Sequence, residues 1–228
     1  MVFAGGFNTG VVLSNNYGQN WVQSGLMDLR VTDIIIKDNI LFASTQSNGV
    51  YKSKDYGTNW TVAGLNNKYV RRLSYNTQYI FAITNNNEIF LSSDNGSSWQ
   101  LQSQFNQDIN CINIIDNVVY LATFEDGIYK SIDYGVTWEQ SGVPGESVYS
   151  FTSYKGNIFI GLGKRGVMLS KDQGAILYQI GLDTFSITGL VTSNKYLIAQ
   201  CSEYGLYRTT LEDIGLGVEN NDYFALAS

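Results

Sequence analysis

The chain has 228 residues, of which 44% are hydrophobic and 15% charged, a balance typical of a globular protein with a sizeable core. Its 14 Lys and Arg residues against 20 Asp and Glu give a net charge of −6, so we expect no nucleic-acid partner, because such proteins present a basic face to phosphates. The chain has no histidine, which removes the usual general base and the commonest metal ligand. No apolar run approaches the roughly 18 residues of a membrane helix, so membrane insertion is not expected.

Short strands separated by turn signals follow one another from the N-terminus, and the second repeat shows their order. It runs from a first strand, VTDIIIKD, through ILFAST and GVYKS to a fourth strand, WTVAG. The pattern recurs every 39 residues, so that Val31, Val70, Ile109, Val148 and Ile187 share one column. Four short strands in each of about six units predict an all-β fold, a six-bladed β-propeller.

The register of the repeat predicts one domain over residues 1–228. Its blades are expected at 1–28, 29–67, 68–106, 107–145, 146–184 and 185–223. The chain begins at a second strand, and segment 224–228 falls where a seventh first strand would start, so this segment could complete the first blade beside Val2. The alternative is that both ends are cuts in a longer protein with more blades.

A motif, S-x-D-x-G-x-x-W, follows the third strand of each unit. Its members are Ser14, Asn16, Gly18 and Trp21; Ser53, Asp55, Gly57 and Trp60; Ser92, Asp94, Gly96 and Trp99; Ser131, Asp133, Gly135 and Trp138; and Ser170, Asp172 and Gly174. Leu177 replaces the fifth tryptophan, and the sixth copy has decayed to TTLEDIGL. Ser and Asp side chains bind nearby backbone amides, Gly accepts positive φ and Trp covers its neighbours, so the motif is expected to be structural.

This motif resembles the Asp-box, or bacterial neuraminidase repeat, over almost the whole chain. The resemblance implies that the motif shapes the turn between the third and fourth strands of a propeller blade. Relatives by repeat include sialidases and glucan-cleaving hydrolases, but also sortilin-type receptor propellers and photosystem assembly-factor propellers, which bind proteins or peptides. The tail LGVENNDYFALAS is similar to the linkers before sorting domains in proteins exported by the type IX pathway of Bacteroidetes-like bacteria, which implies an extracellular or cell-surface protein.

The residues that these enzymes need are not recognisable in the sequence. The sole proline, Pro144, lies in SGVPGES, so the early F-R-I-P-type motif of sialidases is absent. A glycosidase needs two carboxyls facing one cleft, and no spacing singles out a pair among Asp33, Asp108, Glu125, Asp126 and Glu146. The constant interval of 39 residues also leaves no room for inserted loops.

We therefore expect a non-catalytic secreted or cell-surface propeller that acts as a binding or structural scaffold for protein or glycan. The alternative is a carbohydrate-active hydrolase with unidentified catalytic carboxylates. No cofactor or metal is expected, because D-x-G lacks the further carboxylates of a calcium loop. Cys111 and Cys201 fall at different places in their repeats and are interpreted as small buried hydrophobes, although spacing does not decide whether they pair.

Strand order places the second-to-third loops and the connections between blades at one end of the blades, opposite the S-x-D-x-G turns. Side chains vary there on a constant frame, which favours ligand binding, although solvated turns would vary in the same way. The candidate binding residues are Arg30, Asn48, Tyr69, Arg72, Phe124, Glu125, Lys164, Arg165 and Tyr204. In the first strands, Arg71 and Arg72 could bind an anion or pair with Asp33, and the ion pair is the favoured interpretation.

Overall fold

The computed structural model describes residues 1–214 and 216, together with the backbone of 225–226. The chain divides into two compact units. The first comprises residues 1–106 and 134–136, and the second comprises 107–133 and the described residues from 137 onward.

The first unit contains three antiparallel sheets, each a meander of consecutive strands. Their strands are β1 (Val2–Gly6), β2 (Gly10–Ser14) and β3 (Val22–Gln23); β4 (Val31–Lys37), β5 (Ile40–Thr45), β6 (Val50–Ser53) and β7 (Thr61–Val62); and β8 (Val70–Tyr75), β9 (Ile80–Thr84), β10 (Glu88–Ser92) and β11 (Gln100–Gln104). The first sheet has three strands, and β1 corresponds to the second strand of the other two sheets.

The second unit contains three sheets of four strands. Their strands are β12 (Ile109–Ile115), β13 (Val118–Thr123), β14 (Ile128–Ser131) and β15 (Glu139–Gly142); β16 (Val148–Tyr154), β17 (Asn157–Leu162), β18 (Val167–Ser170) and β19 (Tyr178–Gly181); and β20 (Ile187–Thr192), β21 (Tyr196–Cys201), β22 (Gly205–Thr210) and β23 (Ala225–Leu226). The six sheets are the blades of an all-β, six-bladed β-propeller, which confirms the predicted fold class. The described residues contain no helix.

The last strand differs from the prediction for the C-terminal segment. Ala225 and Leu226 pair with Arg208 and Tyr207 of β22, as the fourth strand of the last blade, and not as an added first strand beside Val2. In this repeat the segment after the motif that forms the fourth strand elsewhere has been lost, so the outer edge of β22 offers unpaired backbone groups that 225–226 satisfy. Residues 224, 227 and 228 of the predicted strand lie outside the described residues.

Apolar side chains of neighbouring blades meet in the core of each unit. The second strands β5, β9, β13 and β17 are buried along almost their whole length. One column of the repeat places a ring in each of them, at Phe42, Phe81, Tyr120 and Phe159, all at most 1% exposed. Burial of each such ring stabilises the fold by about 1.5–3 kcal/mol. Within each unit, this packing holds neighbouring blades against one another.

The first strands β4, β8, β12, β16 and β20 all carry a β-bulge at the same step. Pairing with the second strand skips one residue in each: Thr32, Arg71, Asn110, Tyr149 and Thr188. A bulge redirects the side chain of the residue that it leaves unpaired. The repeated bulge was not predicted from the sequence, and one of these five residues contributes to the site described below.

The S-x-D-x-G segments form tight turns through their own side chains. In the third blade the Ser92 hydroxyl accepts from the Gly96 amide at 2.8 Å and donates to the Asp94 carboxylate at 2.8 Å. Asp94 also accepts from the backbone and hydroxyl of Ser98. These bonds, led by the Ser98 hydroxyl, lower the pKa of Asp94 to about 2. In the other turns the serine hydroxyl likewise donates to the side chain of Asn16 or of the motif aspartate. The hydroxyls of Ser14, Ser53 and Ser170 also accept from the amide of the motif glycine.

The motif tryptophans reach back to the preceding blade. The indole of Trp60 donates to the Ser24 carbonyl and that of Trp99 to the Ala63 carbonyl, both at 2.7 Å. Trp99 covers Gly64, where an added Cβ would lie 2.7 Å from the indole ring. Trp21 is 43% exposed. The tryptophans therefore act between blades as well as within their own turns.

The two cysteines lie against different parts of the core of the second unit. Cys201 is buried among apolar residues, and this burial raises the pKa of its thiol. Cys111 is half-buried and packs against the neighbouring cluster. Both side chains therefore contribute to apolar packing.

Candidate functional site

The loop end of the blades, defined by the second-to-third loops and the connections between blades, is held together by backbone hydrogen bonds. In every blade with a first strand, a loop amide donates to a carbonyl just before that strand, at 2.8–3.1 Å. The pairs are Gln46 to Arg30, Asn85 to Tyr69, Phe124 to Asp108, Gly163 to Ser147 and Ser202 to Ser186. These bonds place the two kinds of loop at one end, as predicted, and they do not depend on the identity of the loop side chains.

In the first unit, two of the predicted binding residues are engaged in local contacts. The Arg30 guanidinium donates to the Gln46 side chain at 2.7 Å and lies 3.2 Å from the centroid of the Phe7 ring. The amide of Asn48 donates to the Thr45 hydroxyl within its own loop. Both residues therefore stabilise the loops that carry them.

The loop end of the third blade is closed by an ion pair. Glu88 occupies the column that elsewhere holds a loop glycine, and it accepts from Lys68 at 2.8 Å and from the Thr84 hydroxyl at 2.8 Å. Tyr69 lines a polar cavity of about 190 Å³ beside this pair. Lys68 and Glu88 neutralise each other, so this region offers few unpaired charged groups to a ligand.

The predicted ion pair between Asp33 and the arginines is wrong. The Asp33 carboxylate accepts from the amides of Leu73 and Ile34, both at 2.9 Å, and it forms no ion pair with the described residues. Arg72 instead donates to the Arg71 carbonyl. Burial raises the pKa of Asp33, and the amide bonds and the nearby Arg72 charge only partly oppose this rise. The amides are already fixed by the strands, so bonding to them costs less conformational entropy than immobilising the long Arg72 side chain.

The largest group of predicted binding residues meets in the second unit, between the fourth and fifth blades. A cavity of about 360 Å³ opens there at the loop end. It is lined by Glu125, Gly145, Glu146, Ser147, Tyr149, Gly163 and Lys164. Its volume lies within the range of about 300–1,000 Å³ that is common for small-ligand sites. We call it the blade 4–5 cavity.

One wall of the blade 4–5 cavity is aromatic. Tyr149, the bulged residue of β16, lies beside Phe124 with ring centroids 6.1 Å apart. Phe124 is 41% exposed. Tyr149 supplies the aromatic surface of the cavity, and the Phe124 ring lies beside Tyr149 without lining the cavity itself.

The loop that carries Phe124 and Glu125 is fixed by Asp126. Its carboxylate accepts hydrogen bonds from Tyr129, Gln107 and Gln140. The bond with Asp126 is the main cause that raises the pKa of Tyr129 to about 12. Glu125 is held with φ of 72°, in a region that non-glycine residues adopt at some cost and that is often found at ligand sites.

The ionic groups of the blade 4–5 cavity fall into two classes. Glu146 accepts from Arg165 at 3.1 Å, so these two charges are paired. No described residue makes a hydrogen bond or an ion pair with the Glu125 carboxylate or the Lys164 ammonium group, and none bonds to the Tyr149 hydroxyl. The frame therefore leaves three polar groups of different chemistry at one cavity.

A second aromatic group lies at the loop end of the sixth blade. The Phe185 ring stands 4.8 Å from the Tyr204 ring and 5.6 Å from the Tyr207 ring. Tyr204, a predicted binding residue, is 56% exposed. The Gly166 amide donates to the Phe185 carbonyl, so this group is anchored to the loop that carries Lys164.

Sequence reasoning selected Phe124, Glu125, Lys164 and Arg165 for this region but did not select Tyr149. Tyr149 was missed because it looked like an ordinary residue of a first strand. The bulge column changes from Thr to Arg to Asn to Tyr, whereas the column before it holds only Val or Ile. The column after the bulge varies as well, so variation alone does not single out Tyr149. A variable column inside a regular strand indicates a side chain that is not used for packing.

Comparison with known proteins supports the fold. A profile of the DUF6242 beta propeller domain matches residues 1–109, and no curated protein matches the chain. The extracellular domain of BT4673 from B. thetaiotaomicron is similar at a TM-score of 0.73 and 17% identity, over 91% of this chain and 31% of that one. An ancestral GH74 enzyme is similar at 0.71 and 17%, over 98% of this chain and 36% of that one.

YCF48 bound to the D1 peptide is similar at a TM-score of 0.70 and 14% identity, over 89% of this chain and 72% of that one. The chain thus spans about a third of the length of the first two structures. At these identities the likeness concerns the fold, because one fold hosts many functions. Among the residues that the structure describes, no helix is long and apolar enough to cross a membrane.

Proposed function

We propose that this protein is a non-catalytic binding module that acts outside the cell and holds a protein or a glycan at the loop end of its blades. The observation that carries the proposal is the blade 4–5 cavity, where Glu125, Tyr149 and Lys164 present polar groups that the fold does not use. A rigid frame with unused polar groups at a concave surface is the usual form of a recognition site.

The carboxylates of this region favour binding over catalysis. A glycosidase needs two carboxyl groups that act on one bond from opposite sides. Asp126 is engaged by three donors that fix its loop and Glu146 is paired with Arg165, so the described contacts assign these two carboxylates structural roles and do not single out a catalytic pair with Glu125. The loops are also short, whereas active sites are usually built on longer insertions.

The proposed location rests on two independent likenesses. One similar structure is the extracellular domain of BT4673, and the tail LGVENNDYFALAS is similar to linkers of proteins exported by the type IX pathway. We further infer that the repeat is of the Asp-box kind, since the serine, acid and glycine of the motif hydrogen-bond one another as such a turn requires. Surface labelling of intact cells that produce the full gene would test the location.

A bound peptide is compatible with this fold, because the similar YCF48 structure holds the D1 peptide. In this chain, a protein or a glycan would have to be recognised by side chains at the loop end. The backbone amides and carbonyls there are largely engaged with one another.

The test compares the two ends of the blades. The purified chain is screened on a glycan array and on a displayed peptide library, and each ligand is measured again with a loop-end variant, Phe124→Ala with Lys164→Ala, and with a turn-end variant, Tyr17→Ala with Tyr56→Ala. We expect the loop-end variant to lose binding about tenfold or more, because it removes an aromatic face and a charge, and the turn-end variant to bind as wild type. Loss only in the turn-end variant, or release of product from fluorogenic glycosides, would contradict the proposal.

A further inference from the structure

We propose that the blade 4–5 cavity binds a neutral sugar unit of a glycan. This inference rests on the proposed function and narrows it from protein or glycan to one ligand class. Three features of the cavity carry it: its charge balance, its aromatic wall and the engagement of its backbone.

The charges at the cavity cancel. Glu146 and Arg165 neutralise one another at 3.1 Å, and the unpaired Glu125 and Lys164 carry opposite signs across the same 360 Å³ volume. A ligand with one sign of charge would be attracted by one of these groups and repelled by the other, so the cavity offers it little net attraction. A neutral ligand with many hydroxyl groups can donate to a carboxylate and accept from an ammonium group at once.

The aromatic wall fits the apolar face of a sugar ring. Tyr149 offers its ring beside the polar groups that line the cavity, and the Phe124 ring lies next to it, with centroids 6.1 Å apart. The remaining lining residues are polar or glycine, so the cavity has no aliphatic pocket for an apolar peptide side chain. A flat ligand with one C–H face and a polar rim matches this arrangement.

The backbone of the cavity does not offer a free strand edge to a peptide. The amides of Phe124, Gly127 and Gly163 donate to carbonyls of Asp108, Glu146 and Ser147. Peptides that add to a sheet depend on unpaired main-chain groups for affinity. Recognition at this cavity therefore depends on side chains, as it does for sugars.

The experiment uses an array of neutral gluco-, xylo-, manno- and galacto-oligosaccharides beside uronate- and sialate-containing ones, followed by calorimetric titration of the best neutral binder. We expect a neutral oligosaccharide to bind. Tyr149→Ala should weaken binding about tenfold through loss of stacking, whereas Tyr149→Phe keeps the ring and should stay within about threefold. Tyr178→Ala, which removes an exposed tyrosine from β19 of the same blade, is the matched control and should bind as wild type.

Two substitutions that each remove a charge distinguish a neutral ligand from a charged one. Glu125→Gln and Lys164→Gln keep hydrogen-bonding groups of similar size, so a neutral sugar should lose less than about fivefold in each. Raising the salt from about 50 mM to about 500 mM should change its affinity less than twofold, since only charged ligands are screened. A strong loss of affinity in either variant, or a strong dependence of the affinity on salt, overturns the inference that the ligand is neutral.

The other outcomes distinguish this inference from the proposed function. Binding that survives Tyr149→Ala but is lost in Tyr178→Ala overturns the assignment to this cavity. A peptide that binds at the loop end while no glycan on the array binds overturns the sugar inference and leaves the proposed function standing. A neutral glycan that binds through Tyr149 and is cleaved supports the ligand class and overturns the non-catalytic function.

Discussion

The two ends of each blade are stabilised by different chemical groups. At the turn end, the hydroxyl of Ser92 and the carboxylate of Asp94 make the hydrogen bonds that close the turn. At the loop end, main-chain groups make the bonds, as between Gly127 and Glu146. The bonds that every blade shares thus come from side chains at the turn end and from the main chain at the loop end, where side-chain contacts differ from blade to blade. This difference explains why one end repeats its sequence and the other varies.

The largest expected effect concerns the turn end. Trp99→Ala removes an indole that bonds the Ala63 carbonyl and covers Gly64, so the free energy of unfolding should fall by about 4 kcal/mol. Trp21→Ala is the control, because Trp21 is 43% exposed, and it should cost about 1–2 kcal/mol. Urea denaturation measures both, and equal losses would show that the tryptophans do not act between blades.

The stability of the loop end should depend on the backbone conformation and close packing of Gly127. Gly127 has φ of 76°, and an added Cβ would lie 2.3 Å from the Val143 carbonyl oxygen, so Gly127→Ala should cost about 3 kcal/mol. Gly145 has φ of 75° with nothing within 4 Å of the added Cβ, so Gly145→Ala should cost only about 1 kcal/mol. Thermal and urea unfolding measure the difference, and similar costs would mean that close packing of this loop does not matter.

Substitution of one serine at each end of the blades compares the contributions of side chains to stability at the two ends. Ser92→Ala leaves the buried Gly96 amide without its partner at 2.8 Å, so we expect a loss of about 2 kcal/mol. Ser147→Ala keeps the backbone bond from Gly163 to the Ser147 carbonyl, so we expect less than about 0.5 kcal/mol. A larger loss for Ser147→Ala in urea titrations would contradict the contrast between the two ends.

The smallest effect is a dependence on pH. The pKa of Asp94 is lowered to about 2 from an ordinary value of 3.8, so its stabilisation is complete above about pH 4 and is lost as the pH falls through 2. Ser98→Ala removes the bond that lowers this pKa most and should move the loss to higher pH. The urea midpoint from pH 5 to pH 2 measures this, and identical profiles for wild type and Ser98→Ala would exclude a role for the turn carboxylate.

The strands and turns were predictable because the 39-residue repeat compares each blade with five others in one chain. A residue such as Phe42 recurs as Phe81, Tyr120 and Phe159, and a repeated ring implies a repeated core position. The pairing of the C-terminal strand was predicted wrongly because the prediction used only the 39-residue spacing. Spacing does not indicate which strand edge lacks a partner. Ala225 and Leu226 pair with the edge left open by the decayed sixth motif.

The site was only partly predictable. Loop variability identified Phe124, Glu125 and Lys164, but it could not separate them from Arg30, whose charge is used by Gln46 and Phe7. Such pairings depend on side-chain conformation and on distances across loops. The direction of Tyr149 depends on a bulge, and a one-residue change of pairing is not visible in a hydrophobic pattern.

The main-chain bonds of the loop end also bear on how this protein can evolve. A substitution at Glu125 or Lys164 removes no bond that supports the frame, because carbonyls and amides are present whatever the side chain. A lineage can therefore replace these residues one at a time and remain folded at each step. The 39-residue unit can therefore vary the side chains of its loop end without a compensating mutation in its core.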